Sequence, residues 1–235
     1  MRRGLLVVLT LASACGGGGS GHDFSDGICD QTVHEGVATY YDFADGSGVC
    51  GFPASTGNQM VVALDAPELD GTAMCGACIH VSGPEGEVTV LVVNGCPGCE
   101  RGHLDLSPQA YQLIAPTYSG VPPITWQYMP CDVTGPIKYA YFSGSSTAWA
   151  RVQVRNHRHP IAKLEALMGD GHYAELERSS WGYFKAVNLP AGTQTYRVTD
   201  IYGHVIEDSG IEVLDEGEID GHDQFPPCTP PSDGS

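Results

Sequence analysis

Residues 88–93, Val-Thr-Val-Leu-Val-Val, form a nearly continuous β-branched run, which predicts a buried strand. Two later segments alternate instead. Ala150 to Asn156 sets Val152 and Val154 against Arg151, Gln153 and Arg155, so that strand should bury one face and solvate the other. Thr195 to Ile201 alternates similarly and runs into a turn at Tyr202–Gly203. Helical character stands out only from Ser107 to Ile114, where Ser107 supplies an N-cap and Pro108 occupies the first helical position. Glycine (31 residues) and proline (16 residues) punctuate the rest, as an all-β chain of short strands requires.

The pattern changes character near Cys131. Most cysteines and many glycines lie before it, whereas the stretch after it has regular alternating strands and no cysteine until Cys228. This predicts one domain over 29–132, a linker over 133–136 and a β-sandwich over 137–228, with a disordered Pro- and Ser-containing tail over 229–235. The start of the chain reads differently. Arg2 and Arg3 precede a short apolar run from Leu5 to Leu11, then Ala12, Ser13, Ala14 and Cys15. That order predicts a signal peptide over 1–14 and lipidation at Cys15, with ordinary secretion as the alternative. Either way the chain is expected outside the cytoplasm, with residues 15–28, rich in Gly, as a tether.

Export bears on the nine cysteines. With Cys15 set aside an even number remains, which in an oxidising compartment points to disulfides. Cys75-x-x-Cys78 and Cys96-x-x-Cys99 also have zinc-ribbon spacing, but the four further cysteines favour disulfide chemistry. The nine histidines are scattered without ligand spacing, so no metal and no cofactor is expected. Formal net charge is -17 and becomes about -19 without the leader, with 9 basic against 28 acidic residues. Such a chain repels nucleic acid and anionic glycopolymers. It suits a neutral substrate or an acidic or salty habitat, and it also keeps an exported protein soluble.

Several motifs occur in one order: His34-Glu-Gly-Val-Ala-Thr39-Tyr40, Val92-Val-Asn94-Gly-Cys96-Pro-Gly-Cys99, Gly102-His-Leu-Asp105-Leu-Ser107-Pro-Gln-Ala-Tyr111, Gly144-Ser-Ser-Thr-Ala-Trp149-Ala-Arg-Val-Gln-Val-Arg155-Asn156-His157, and Thr199-Asp200-Ile-Tyr-Gly203. Together, from about His34 to Phe225, they resemble the bacterial expansins. The resemblance implies an all-β protein, a six-stranded double-psi β-barrel related to family-45 endoglucanases followed by an immunoglobulin-like β-sandwich that binds cellulose. It implies loosening of wall polysaccharide without chain cleavage, and a groove containing Thr39 and Asp105. It also implies Cys50–Cys75 and Cys78–Cys131 disulfides, with Cys96–Cys99 and Cys29–Cys228 as the remaining pairs. Trp126 is expected to pack in the barrel.

Glycoside hydrolysis normally needs two carboxylates. Asp105 matches the general acid of the related hydrolases, and alternatively orders the helix start at Ser107. The family's second groove Asp falls on Asn94, an amide that can hold a sugar hydroxyl but is no base at neutral pH. A groove Tyr falls on Cys96. On the sandwich, where a sugar face stacks on an aromatic ring, Trp149 and Trp181 match two of three coplanar aromatics and the third falls on Ala148. Tyr183 or Phe142 is the candidate replacement, so Trp149, Trp181 and Tyr183 are the expected substrate-binding set. Arg151, Arg155, Lys163, His157, Arg158 and His159 form the most basic stretch, expected as a solvated strand face with contact to anionic polymer as the alternative.

The leading expectation is a monomeric, non-enzymatic binder and loosener of plant or microbial wall polysaccharide such as cellulose, xylan or another β-glucan. Its only membrane association would be a lipid anchor. A hydrolase reading, endoglucanase-like or peptidoglycan-lytic, needs a second carboxylate beside Asp105, with Glu35, Asp65 and Glu100 as candidates. A structural surface lipoprotein is the third.

Overall fold

A computed structural model describes residues 29–30, 32–42, 44–54 and 59–228. The leader, Cys15, the tether and the 229–235 tail lie outside the described residues.

The first half closes into a barrel. Its strands are β1 (His34–Tyr40), β2 (Val61–Leu64), β3 (Cys78–Gly83), β4 (Gly86–Gly95), β5 (Leu104–Leu106) and β6 (Pro123–Met129), in the closed order β1-β5-β2-β4-β3-β6. Two pairings are parallel, β1 with β5 and β2 with β4, and the other four are antiparallel. This mixed, closed arrangement is a double-psi barrel. Barrel strands alternate between interior and exterior, and the run over 88–93 is buried mainly on its interior face. Val88, Val90 and Val92 are buried, while Thr89 is exposed. Only near the end of β4 are both faces covered, where Val93 joins Ala44 and Val61 in a small second cluster.

Short helices α1 (Ala66–Leu69) and α2 (Pro108–Ile114) follow β2 and β5. The α2 start is as the sequence predicts. Ser107 Oγ accepts from Ala110 N at 3.2 Å and donates to Gln59 O at 2.5 Å. Trp126 is buried, stacks on His34 with ring centroids 4.0 Å apart, and donates from Nε1 to Gly102 O at 3.2 Å.

The second half contains β7 (Lys138–Tyr141), β8 (Trp149–Arg155), β9 (Ile161–Leu167), β10 (Tyr173–Glu175), β11 (Glu177–Arg178), β12 (Phe184–Val187), β13 (Gln194–Asp200), β14 (Val205–Ile211) and β15 (Gly217–Asp220). They make a four-stranded sheet, β10-β9-β13-β14, and a five-stranded sheet, β11-β12-β8-β7-β15. Tyr139, Val152, Val154, Leu164, Tyr196 and Val198 fill one core from both sheets, a sandwich by the usual facing of alternate residues.

The outer face of β8 departs from its predicted solvation. Gln153 is 2% exposed, and its Nε2 donates to Cys50 O of the barrel at 2.6 Å. Arg155 Nη2 donates to Tyr183 Oη at 3.1 Å, and Thr72 Oγ1 of the barrel donates to Ser179 O at 3.1 Å. An alternating strand reports which face is polar, but it does not report that another domain covers that face. The basic stretch is corrected for the same reason. His157 is 5% exposed against Gly76 of the barrel, and His159 Nε2 lies 2.9 Å from Pro226 O. Arg158 donates to Phe225 O at 2.5 Å. These three residues form a packed junction rather than a solvated basic face. Disulfides join Cys29–Cys228, Cys50–Cys75, Cys78–Cys131 and Cys96–Cys99. The two cysteine pairs with zinc-ribbon spacing therefore belong to three different cross-links.

Candidate functional site: a barrel groove beside an aromatic sheet face

The parallel pairing of β1 with β5 sets Thr39 directly opposite Asp105. Thr39 Oγ1 donates to Asp105 Oδ1 at 2.5 Å and lies 2.8 Å from His103 Nε2. Since the hydroxyl has one proton and gives it to the carboxylate, it accepts from His103, whose proton is then on Nε2. The result is a chain from imidazole to hydroxyl to carboxylate. Asp105 thus serves this network, while the helix start is capped by Ser107 alone. Sequence reading missed His103, yet period two places residues 103 and 105 on one strand face.

Asn94 has its side-chain oxygen engaged by the backbone of the barrel. Its Oδ1 accepts from Val49 N and Gly95 N, both at 2.9 Å, so the amide pins the loop that carries Cys50. Tyr41 was also missed. Burial raises its pKa, and the neighbouring Asp105 and Asp45 carboxylates raise it further. The phenol stays protonated as a potential donor. Asp45 accepts from Ser47 Oγ and N at 2.5 and 2.9 Å, which hold its carboxyl below the usual range. The Sγ atoms of Cys96 and Cys99 and an Asp105 carboxylate oxygen lie within 4.8 Å of one another, so the disulfide borders the groove.

None of the three candidate second carboxylates joins Asp105 in this way. Asp65 is buried, with Oδ1 accepting from Glu68 N at 3.1 Å and Oδ2 from Gly102 N at 3.0 Å, so it organises α1 and the approach to β5. Glu35 sits four residues before Thr39 on β1, opposite Thr125, roughly 13 Å along the strand. Glu100 is exposed in the turn before β5.

On the sandwich, Trp181 is 63% exposed and Trp149 38% exposed. Trp149 begins β8 opposite Val187, and Trp181 lies in the turn before β12. They therefore stand towards opposite ends of the β8–β12 pairing, on the sheet that docks the barrel. Tyr183 departs from its expected role. It is 8% exposed, with its ring edge-on to Phe142 at 5.8 Å and its hydroxyl bound to Arg155. Phe142 is exposed, but the Arg151 guanidinium covers its ring at 3.5 Å from the centroid. Gly51 lets the two regions meet, because a Cβ there would come within 2.6 Å of Trp181 O and 2.8 Å of the Tyr183 ring. The segment Gly48–Gly51 thus connects Asn94 at the groove to the turn bearing Trp181.

Folding also unites His159, Asp200 and His204, which sequence spacing did not reveal. Asp200 Oδ1 accepts from Tyr202 N and His204 N at 2.9 and 2.8 Å, and Oδ2 lies 2.8 Å from His204 Nδ1. That carboxylate shapes the β13–β14 turn.

A double-psi barrel with a linked His103–Thr39–Asp105 polar cluster, docked to a β-sandwich with exposed indoles, defines a two-domain class that comparison with known proteins makes specific. A family model described as lytic transglycolase matches residues 33–126. Expansin-YoaJ of Bacillus subtilis (strain 168) is 33% identical over 203 residues, covering 83% of this chain and 87% of that protein. The crystal structure of the apo Clavibacter michiganensis expansin matches with a TM-score of 0.76 at 33% identity, over 83% of this chain and 99% of that one. A mutant of the Clavibacter expansin in complex with cellohexaose matches with a TM-score of 0.77 at 31% identity, with the same coverage. This chain belongs to the expansin family.

Proposed function

We propose that this chain binds cellulose or a related β-glucan and loosens wall polysaccharide without hydrolysing it. The observation that carries the reading is the pair of exposed indoles, Trp149 and Trp181, on the sheet that packs against the barrel. Flat apolar rings offer stacking area to a sugar face, and polar groove atoms supply oriented hydrogen bonds. The cellohexaose complex of a relative 31% identical in sequence supports a linear β-glucan as ligand. In the groove, the Thr39 hydroxyl links Asp105 to His103, an arrangement suited to gripping sugar hydroxyls. None of Glu35, Asp65 and Glu100 stands opposite Asp105 as a base, so displacement at the anomeric carbon finds no second participant among them.

Loosening on this reading is competition. Groove and platform replace contacts between neighbouring glucan chains with contacts to protein, and no covalent bond changes. Four disulfides suit an oxidising compartment. On this reading the chain works outside the cytoplasm as a monomer, anchored through Cys15 or secreted. The test is depletion binding to cellulose, xylan, chitin and peptidoglycan alongside a reducing-sugar assay. Binding to cellulose without released sugar supports the reading, whereas binding to peptidoglycan alone would sink it.

A hydrolytic second reading has one observation in its favour. Asp45 and Asp105 both bear electrostatically on Tyr41, so Asp45 is the carboxylate to test as a base. Soluble sugar release abolished by both Asp45→Asn and Asp105→Asn would establish it.

A further inference from the structure

The Cys96-Pro-Gly-Cys99 cross-link has no part in the glycan reading, yet it borders the groove. Neither cysteine is fully buried, and Pro97 and Gly98 between them are exposed. In each of the other three disulfides at least one cysteine is buried. Closing so short a ring restrains the unfolded chain little compared with the separations of 25, 53 and 199 residues closed by the others. The turn also has backbone support of its own. Cys96 N donates to Leu64 O at 2.6 Å and Cys99 N to Cys96 O at 3.1 Å, so it holds its course when the sulfurs part.

We propose that Cys96–Cys99 is a thiol–disulfide exchange site on the groove wall, open to low-molecular-weight thiols, with Asp105 slowing the exchange. The thiolate of an external dithiol attacks one sulfur. The S–S bond breaks, its electron pair leaves on the other sulfur, and that thiolate takes a proton from water. The second thiol of the reagent then displaces the mixed disulfide. In the net reaction the dithiol is oxidised to its cyclic disulfide and Cys96 and Cys99 become two thiols, a transfer of two electrons and two protons. A carboxylate within 4.8 Å of both sulfurs repels the attacking thiolate and disfavours the leaving one. Neutral or cationic thiols are therefore preferred over anionic ones at equal thiolate concentration.

The experiment is reduction of the folded full chain with graded dithiothreitol, alkylation, and peptide mass spectrometry, with tryptophan fluorescence reporting the fold. Cys96 and Cys99 should be labelled first, with native fluorescence retained and the other three disulfides intact. Asp105→Asn should raise the rate roughly three- to tenfold, the size expected for one nearby charge at a dielectric close to that of water. If that variant does not fold, the wild-type rate with 2-mercaptoethanol should still rise with salt as the carboxylate is screened. Labelling of Cys96 and Cys99 only together with the other cysteines, or only after unfolding, would overturn the proposal. A rate indifferent to both Asp105→Asn and salt would remove the role given to the carboxylate.

Discussion

Replacing Trp181 by Ala is the sharpest perturbation of the proposed platform. The turn bearing Trp181 is held by its backbone, with Trp181 N donating to Ser179 Oγ at 3.4 Å and its carbonyl against Gly51. The indole is 63% exposed, so of a tryptophan surface of ~250 Å² about 160 Å² is open, and a flat glycan covers one side, ~80 Å². At ~25 cal/mol per Å² that contact contributes about 2 kcal/mol, or roughly 30-fold in Kd. Trp149 is 38% exposed, and the same reasoning gives ~50 Å², about 1.2 kcal/mol and roughly eightfold. The assay is a depletion isotherm on crystalline cellulose, with circular dichroism as the control for folding. A folded Trp181→Ala protein that binds within threefold of the unsubstituted chain would refute the stacking argument. So would a Trp149→Ala loss clearly larger than that of Trp181→Ala.

Groove and platform should separate by mutation: Thr39→Val and Asp105→Asn are expected to lower loosening of cellulose paper in an extension assay while cellulose affinity falls by less than in Trp181→Ala, since the platform stays intact. Burial pushes the His157 pKa down to about 4, with Arg178 and His159 also acting against its charge. The unfolded chain therefore binds the extra proton between about pH 6.5 and 4, and stability should fall by about 3 kcal/mol as pH drops through that window. Urea titrations should show this slope, and His157→Gln should flatten it. Gly182 has a φ of 71°, and a Cβ there would lie 2.7 Å from Cys50 O. Gly182→Ala should cost about 2 kcal/mol and lower Tm by roughly 4–8 °C, as read by calorimetry.

Much of the fold was legible because its signals are local. Ser107-Pro108 marks a helix start by side-chain chemistry alone, and Tyr196 and Val198 alternate because one face of β13 meets the sandwich core. The site was legible only in part. Thr39 and Asp105 stood in recognisable motifs, but their contact arises from a parallel pairing between segments more than sixty residues apart. His103 could have been found from its i, i+2 relation to Asp105. Tyr41 and Asp45 could not, because the loop geometry that brings Tyr41 near both Asp105 and Asp45 leaves no periodic trace. Tyr183 misled for a related reason. An aromatic beside an exposed tryptophan reads as platform, and only the docked barrel reveals it as buried junction. Gln153 and His157 carry the same lesson, since polar residues can face another domain as well as water.

The central claim, glycan binding without cleavage, is tested most directly by one incubation of the full chain with crystalline cellulose, assaying bound protein and soluble reducing sugar in the same sample. The account predicts saturable binding, weakened by Trp181→Ala, with sugar release no higher than in a protein-free control. Sugar release that grows with time and disappears in Asp105→Asn would contradict it.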